Sequence, residues 1–204
     1  MDSIRTPARD RWVQGAQAVI ALVAVMWIVQ VVNSLDSYRL DSNGIVPRHL
    51  AGLRGVVLSP FLHASWSHLI GNTVPFVVLG LMIAFTGAGR VLATTVIVAL
   101  VAGLGTWLTS PSNSDTVGAS GVVFGYAAYL VARGFFNRRL VEIALGVVVA
   151  VLFGGALLAS LVPHSGVSWE DHAFGAAGGL LAAQLLAGGR QRPAGPRPVG
   201  PGGL

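Results

Sequence analysis

Six stretches of this chain are long, apolar and nearly free of charge. They run from about Ala16 to Val32, His68 to Phe85, Val91 to Leu108, Ser120 to Ala132, Leu140 to Leu161 and His172 to Leu186. Glu142 is the one formally charged side chain inside them. A soluble domain carries roughly 25% charged residues. Here the figure is 10%, against 53% hydrophobic, so no water-facing surface can be assembled and the bilayer must solvate most of the molecule. A spanning helix needs about 17–25 residues, which the first, second, third and fifth stretches supply. The fourth and sixth hold only 13 and 15 residues. Two readings of these are open. Their flanks complete ordinary spans, or the helices begin below the membrane surface beside a polar cavity.

The expected fold class is therefore an all-α membrane protein with six transmembrane helices. Residues 1–15 form a cytoplasmic segment, 16–188 the membrane domain, and 189–204 a Gly/Pro/Arg-rich disordered tail. The first apolar run is too long for a signal peptide, and "VVNSLDSY" after it offers no small-x-small cleavage site, so it is expected to remain as an anchor. The absence of cysteine excludes disulfides, thiolate metal sites and a cysteine nucleophile.

The formal net charge is +5 and every basic residue is arginine. In a membrane chain this bears on topology rather than on nucleic acid, which is not an expected partner. Arg5, Arg9 and Arg11 precede the first stretch, Arg90 joins the second and third, Arg133, Arg138 and Arg139 join the fourth and fifth, and Arg190, Arg192 and Arg197 follow the sixth. The opposite loops carry Asp36, Asp41, Asp115, Glu170 and Asp171. The positive-inside rule puts both termini in the cytoplasm of a multi-pass cell-membrane protein.

That topology starts the second, fourth and sixth stretches at the outer face. His68 and Asn72 open the second, Ser120 the fourth and His172 the sixth, so hydroxyl, imidazole and amide groups meet at one depth. Unsatisfied polar groups in lipid cost several kcal/mol, so these are expected to face one another or a wet cavity. Each also has a plain reading. Ser120 in "GASG" could be a small packing residue, His68 and Asn72 at i, i+4 could bond each other, and His172 could be an interfacial ring. "GASG" and Gly175-x-x-Gly178 place small residues on the fourth and sixth helices, where backbones can approach closely.

Three blocks together, "HASWSHLIGN", "GASG" and "HAFGAAGG", resemble the rhomboid intramembrane serine proteases over about Gly44 to Leu186. The resemblance implies a six-helix bundle of the rhomboid type whose active site opens outward. It implies Ser120 as nucleophile, His172 as general base and then acid, and His68, Asn72 and the Ser120 backbone N–H as oxyanion donors. Gly118 would let backbone approach before the serine. Phe124 takes a position where many members have a tyrosine packed on the histidine, and Gly175 and Gly178 would support the dyad. No carboxylate is expected as a third member, because Asp171 and His172 are i, i+1 on a helix and do not face each other; Asp171 reads as a helix-start charge. Asp115 reads as a loop charge and His63 as structural. Many members carry a Trp-Arg pair in the first outer loop, where this chain reads "GLRGVV", Gly52 to Val57.

The expected activity is serine endopeptidase cleavage of single-span or other membrane-protein substrates in or near their transmembrane segments. No cofactor or metal is expected. His63 and His68 at i, i+5 share no helix face and have no acidic ligand beside them. A catalytically inactive rhomboid-like protein that binds and routes membrane helices is the alternative. A transporter is disfavoured, since the six stretches show no internal repeat.

Overall fold

The computed structural model describes residues 7–162 and 166–187. Arg5, Arg190, Arg192, Arg197 and the expected tail at 189–204 lie outside the described residues. Among the described residues six long α-helices and one short one make up the fold: α1 (Pro7–Leu35), α2 (Gly55–Leu58), α3 (Trp66–Ala84), α4 (Ala88–Thr109), α5 (Ser120–Asn137), α6 (Leu140–Ala159) and α7 (Trp169–Leu185). Among the described residues there is no β-strand, only an isolated bridge between Ile45 and Thr116. The protein has an all-α membrane fold. By length and apolarity alone, α1, α3 and α4 are long enough to cross a bilayer. α6, an apolar helix of 20 residues, also reaches the length expected of the fifth stretch.

α5 is the helix around which the others pack. Twelve of its 18 residues are buried, including Tyr126 and Leu130 at 0% exposure, and it meets α7 most extensively, then α6, α4 and α3. It is also longer than the 13 apolar residues of its sequence signature. The helix continues past Ala132 because the charge at Arg133 is buried and paired with Glu142 at 2.8 Å, so it need not terminate the span. α1 and α6 lie at the periphery and expose Ile20, Ile28, Val32, Val151, Leu152 and Leu158. Exposed aliphatic surface of this kind is what lipid tails solvate.

Close approach of α5 and α7 rests on glycine. A Cβ on Gly175 would stand 2.2 Å from the Gly121 carbonyl oxygen, and one on Gly179 would stand 2.1 Å from that of Gly125. Both pairs are four residues apart and share one helix face. Gly178, expected to support the same contact, instead faces α4, where its Cβ would meet Val98 Cα at 3.0 Å. The phase of the helix decides this, since one residue turns the face by about 100°.

The connection from α1 to α3 is a chain of short turns, Arg39–Asn43, Leu50–Arg54 and Ser59–Phe61, with α2 among them. It is held without a Trp-Arg pair. Arg48 donates from Nη1 to the Ser110 carbonyl at 2.7 Å and from Nη2 to Ser112 Oγ at 2.6 Å, and Trp107 Nε1 donates to the His49 carbonyl at 2.9 Å. Gly52 and Gly55 press against Val46 and Gly44. This loop is thereby fastened to the α4–α5 connection, the segment that leads into Ser120.

Candidate active site

Ser120 is the first residue of α5, half-buried, and follows Ala119, which offers no side-chain cap. The first N–H groups of a helix have no intrahelical acceptor, so a donor-rich helix end is presented at the serine. Four hydrogen bonds from the first loop and its neighbours hold the approach to it. Gly118 N–H donates to the Ser59 carbonyl at 2.9 Å, Thr116 pairs with Ile45, and Ala119 N–H donates to His63 Nε2 at 3.4 Å.

Gly118 has φ +123°, a conformation that L side chains rarely adopt. The space is also taken. A Cβ there would stand 2.7 Å from both Cε1 and Nε2 of His68 and 3.5 Å from Asn72 Nδ2. The imidazole and amide at the start of α3 therefore lie against the backbone two residues before Ser120. Ser65 caps α3 by accepting the His68 N–H at 3.1 Å, which sets where that helix begins. His68 is half-buried. Asn72 is buried, and its Nδ2 has no hydrogen-bond partner among the described residues. The i, i+4 bond to His68, the plain reading of this pair, is thus not made from Asn72 Nδ2.

His172, three residues after the start of α7, is 6% exposed and its ring stacks on Phe124, with centroids 4.1 Å apart and planes 7° from parallel. Phe124 is one helical turn after Ser120. His172 Nδ1 lies 2.9 Å from the Ser160 carbonyl oxygen. A carbonyl only accepts, so Nδ1 carries a proton, which in the neutral imidazole leaves the lone pair on Nε2.

Asp171 departs from expectation. It does begin a helix, with its N–H donating to Ser168 Oγ at 3.3 Å, yet its carboxylate is buried rather than solvated. Ser120 Oγ donates to Asp171 Oδ2 at 3.5 Å, and a Cβ on Gly121 would stand 2.5 Å from the same oxygen. The i, i+1 rule concerns two residues of one helix and is silent about a neighbouring helix. Because α5 and α7 touch through glycine, the carboxylate fits over the α5 N-terminus, where the helix dipole favours negative charge.

His63 is fully buried, and its ring meets that of His68 edge-on with centroids 5.1 Å apart. Burial, and then the neighbouring His68, pushes its pKa down to about 4, so it is neutral and able to accept from Ala119 N–H. Sequence reading placed it as structural; the structure makes it the residue that fastens the stretch before the serine.

A cavity of about 490 Å³ lies at this end, lined by His68, Thr116, Trp169 and two carboxylates, Asp115 and Glu170. No group of three or more His, Cys, Asp or Glu side chains suited to a metal occurs among the described residues.

A Rhomboid domain family model matches residues 51–189. The chain is 41% identical over 190 residues to an uncharacterized protein of Mycobacterium tuberculosis, covering 89% of this chain and 79% of that one. It is 37% identical to an uncharacterized protein of Mycobacterium leprae, covering 89% and 75%. It is 25% identical to the Bacillus subtilis protein named "Putative rhomboid protease YdcA", covering 85% and 89%. With the domain match spanning most of the helical bundle, and the motif residues at the starts of α3, α5 and α7, the chain belongs to the rhomboid family.

Proposed function

We propose that the protein is an intramembrane serine endopeptidase acting through Ser120 and His172. The observation that carries this reading is the unspent donor beside the serine. Asn72 Nδ2 is buried, has no partner among the described residues, and lies near Gly118 with the His68 ring. Most buried polar groups in a native protein are paired, and an exception at a helix start lined with imidazole and hydroxyl groups is suited to a ligand that brings its own acceptor. The oxyanion of a tetrahedral intermediate is such an acceptor.

In this mechanism Ser120 Oγ attacks the substrate carbonyl and its proton passes to His172 Nε2. The developing oxyanion is received by Asn72, His68 and the Ser120 N–H. His172 then gives the proton to the leaving amine. Water hydrolyses the acyl-enzyme with the histidine again as base. Phe124 holds the imidazole plane and the Ser160 carbonyl holds its tautomer.

The substrate is another membrane protein. A helix in lipid must unwind locally to offer its backbone, and freed amides there lack partners. Gly, Pro or polar residues near the substrate's outer boundary lower that cost, so cleavage is expected there, after a small side chain. By the positive-inside rule the opposite end of the bundle, with both termini, is expected in the cytoplasm.

The test is cleavage of a model single-span substrate by protein purified in detergent. Ser120→Ala and His172→Ala are expected to abolish turnover, and Asn72→Ala to lower kcat about 10²–10³-fold. A serine-directed inhibitor should label the wild type at Ser120. Equal cleavage by wild type and Ser120→Ala would refute the mechanism, and an absence of cleavage in the wild type would favour the helix-binding alternative.

A further inference from the structure

At the end of the bundle remote from Ser120, a cavity of about 780 Å³ is lined by four arginines, Arg90, Arg133, Arg138 and Arg139, and by a single carboxylate, Glu142. Glu142 is already committed. It accepts from Arg133 Nη2 at 2.8 Å and from Asn137 Nδ2 at 2.6 Å, with Arg139 3.9 Å away. One carboxylate cannot balance four guanidinium groups, so the cavity keeps a positive excess. Arg133 is 7% exposed, lies over the Tyr129 ring at 5.7 Å, and its Nε has no partner among the described residues. Arg139, by contrast, has a side chain 75% exposed and is available to a ligand.

We propose that this cavity binds a phosphate group, and that its carrier is an anionic phospholipid of the adjacent leaflet. Guanidinium groups match phosphate oxygens in geometry as well as charge. The volume lies within the range small ligands occupy, about 300–1,000 Å³. The surroundings select a lipid carrier. Phe136 lines the cavity and is exposed, Phe135 beside it is 76% exposed, and Trp12 and Phe85 pair at 6.1 Å on the same end of the bundle. Exposed aromatic side chains at the tips of apolar helices mark headgroup depth. A phosphodiester in the arginines would leave its acyl chains against exposed apolar residues such as Val141 and Val148 of α6. The assignment to the inner leaflet rests on the orientation proposed above; the phosphate site itself does not.

The protein in neutral detergent is titrated with short-chain phosphatidylglycerol, with phosphatidylcholine and inorganic phosphate as parallel arms. Bound lipid is read by native mass spectrometry and stabilisation by thermal unfolding, with no substrate present, so the result is independent of proteolysis. Phosphatidylglycerol is expected to bind about tenfold tighter than phosphatidylcholine or better. The double variant Arg138→Asn, Arg139→Gln should lose about tenfold of that affinity. Asn tolerates the left-handed backbone at position 138, φ 52°, so the α5 end should survive. Arg90→Gln provides a second variant should the double one unfold. Stabilisation by inorganic phosphate alone would keep the site and replace the lipid with a soluble ion. Equal binding of the two lipids with no effect of phosphate, or wild-type binding by the variants, would overturn the proposal.

Discussion

Asp171 shows what a single side chain adds to the serine–histidine pair. Its carboxylate is buried, receives the Ser120 hydroxyl and adjoins His172 in the chain, so it bears on any charge that develops on the imidazole. At an effective dielectric near 20 and separations of several ångströms, an anion stabilises an imidazolium by about 2–3 kcal/mol, and by less where water screens the pair. Asp171→Asn keeps the shape and removes the charge, so kcat should fall about tenfold while KM for a model substrate holds. An unchanged kcat would return Asp171 to a helix-start charge. His63 supplies the pH prediction. Its folded pKa, about 4, lies below the ordinary histidine value of about 6.5, so between those values the unfolded chain binds more protons. Its contribution is complete above pH 6.5, declines as pH falls toward 4 and is flat below, with a total on the order of a few kcal/mol. Thermal unfolding between pH 7 and 4 should show this loss in the wild type and a smaller loss in His63→Gln. Neither residue's role could be read from the chain alone. Asp171 acts across a helix pair and His63 through a loop bond to Ala119, and periodicity within one helix reports neither.

At the scale of elements, the contact of α5 with α7 determines whether a site exists. Gly179→Val would drive a side chain into the Gly125 carbonyl, which is backbone and cannot rotate away. Overpacking costs typically about 1–3 kcal/mol, and with rigid backbone as the obstacle the upper figure or more is expected, with activity lost as the helices part. Gly178→Ala meets α4 at 3.0 Å and should cost less, while Gly154→Ala meets nothing within 4 Å and should be neutral or stabilising by up to about 1 kcal/mol. Denaturation of the three variants in mixed micelles orders them; equal losses would show that the interface tolerates separation. The presence of small residues was legible in "GASG" and "HAFGAAGG". Which glycine faces which helix was not, because that depends on helix phase and on the third partner, α4. The α5 start at Ser120 was legible to the residue, but its end was not, since the pairing of Arg133 with Glu142 lets a charged residue remain inside the helix.

For the molecule as a whole, the arginine-lined cavity and the serine lie at opposite ends of α5, and the proposed orientation puts the arginines inside. Because the chain contains no cysteine, single introduced thiols report topology cleanly. Asn113→Cys, exposed in the α4–α5 connection, should react with a membrane-impermeant maleimide on intact cells. Arg139→Cys should react only after permeabilisation, and the reverse pattern would invert the orientation. The solvent and the helical class follow from the amino-acid sequence, as does the expectation that His68, Asn72, Ser120 and His172 meet at one depth, because lipid forbids unpaired backbone and makes apolar length and arginine placement decisive. Three things depended on the tertiary structure. They are the burial of Asp171 against Ser120, the fastening of the first loop by Arg48 in place of a Trp-Arg pair, and the gathering of arginines from α4, α5 and the α5–α6 turn around one cavity. Each arises between segments far apart in the chain, and only the relative placement of packed helices brings such groups within a few ångströms.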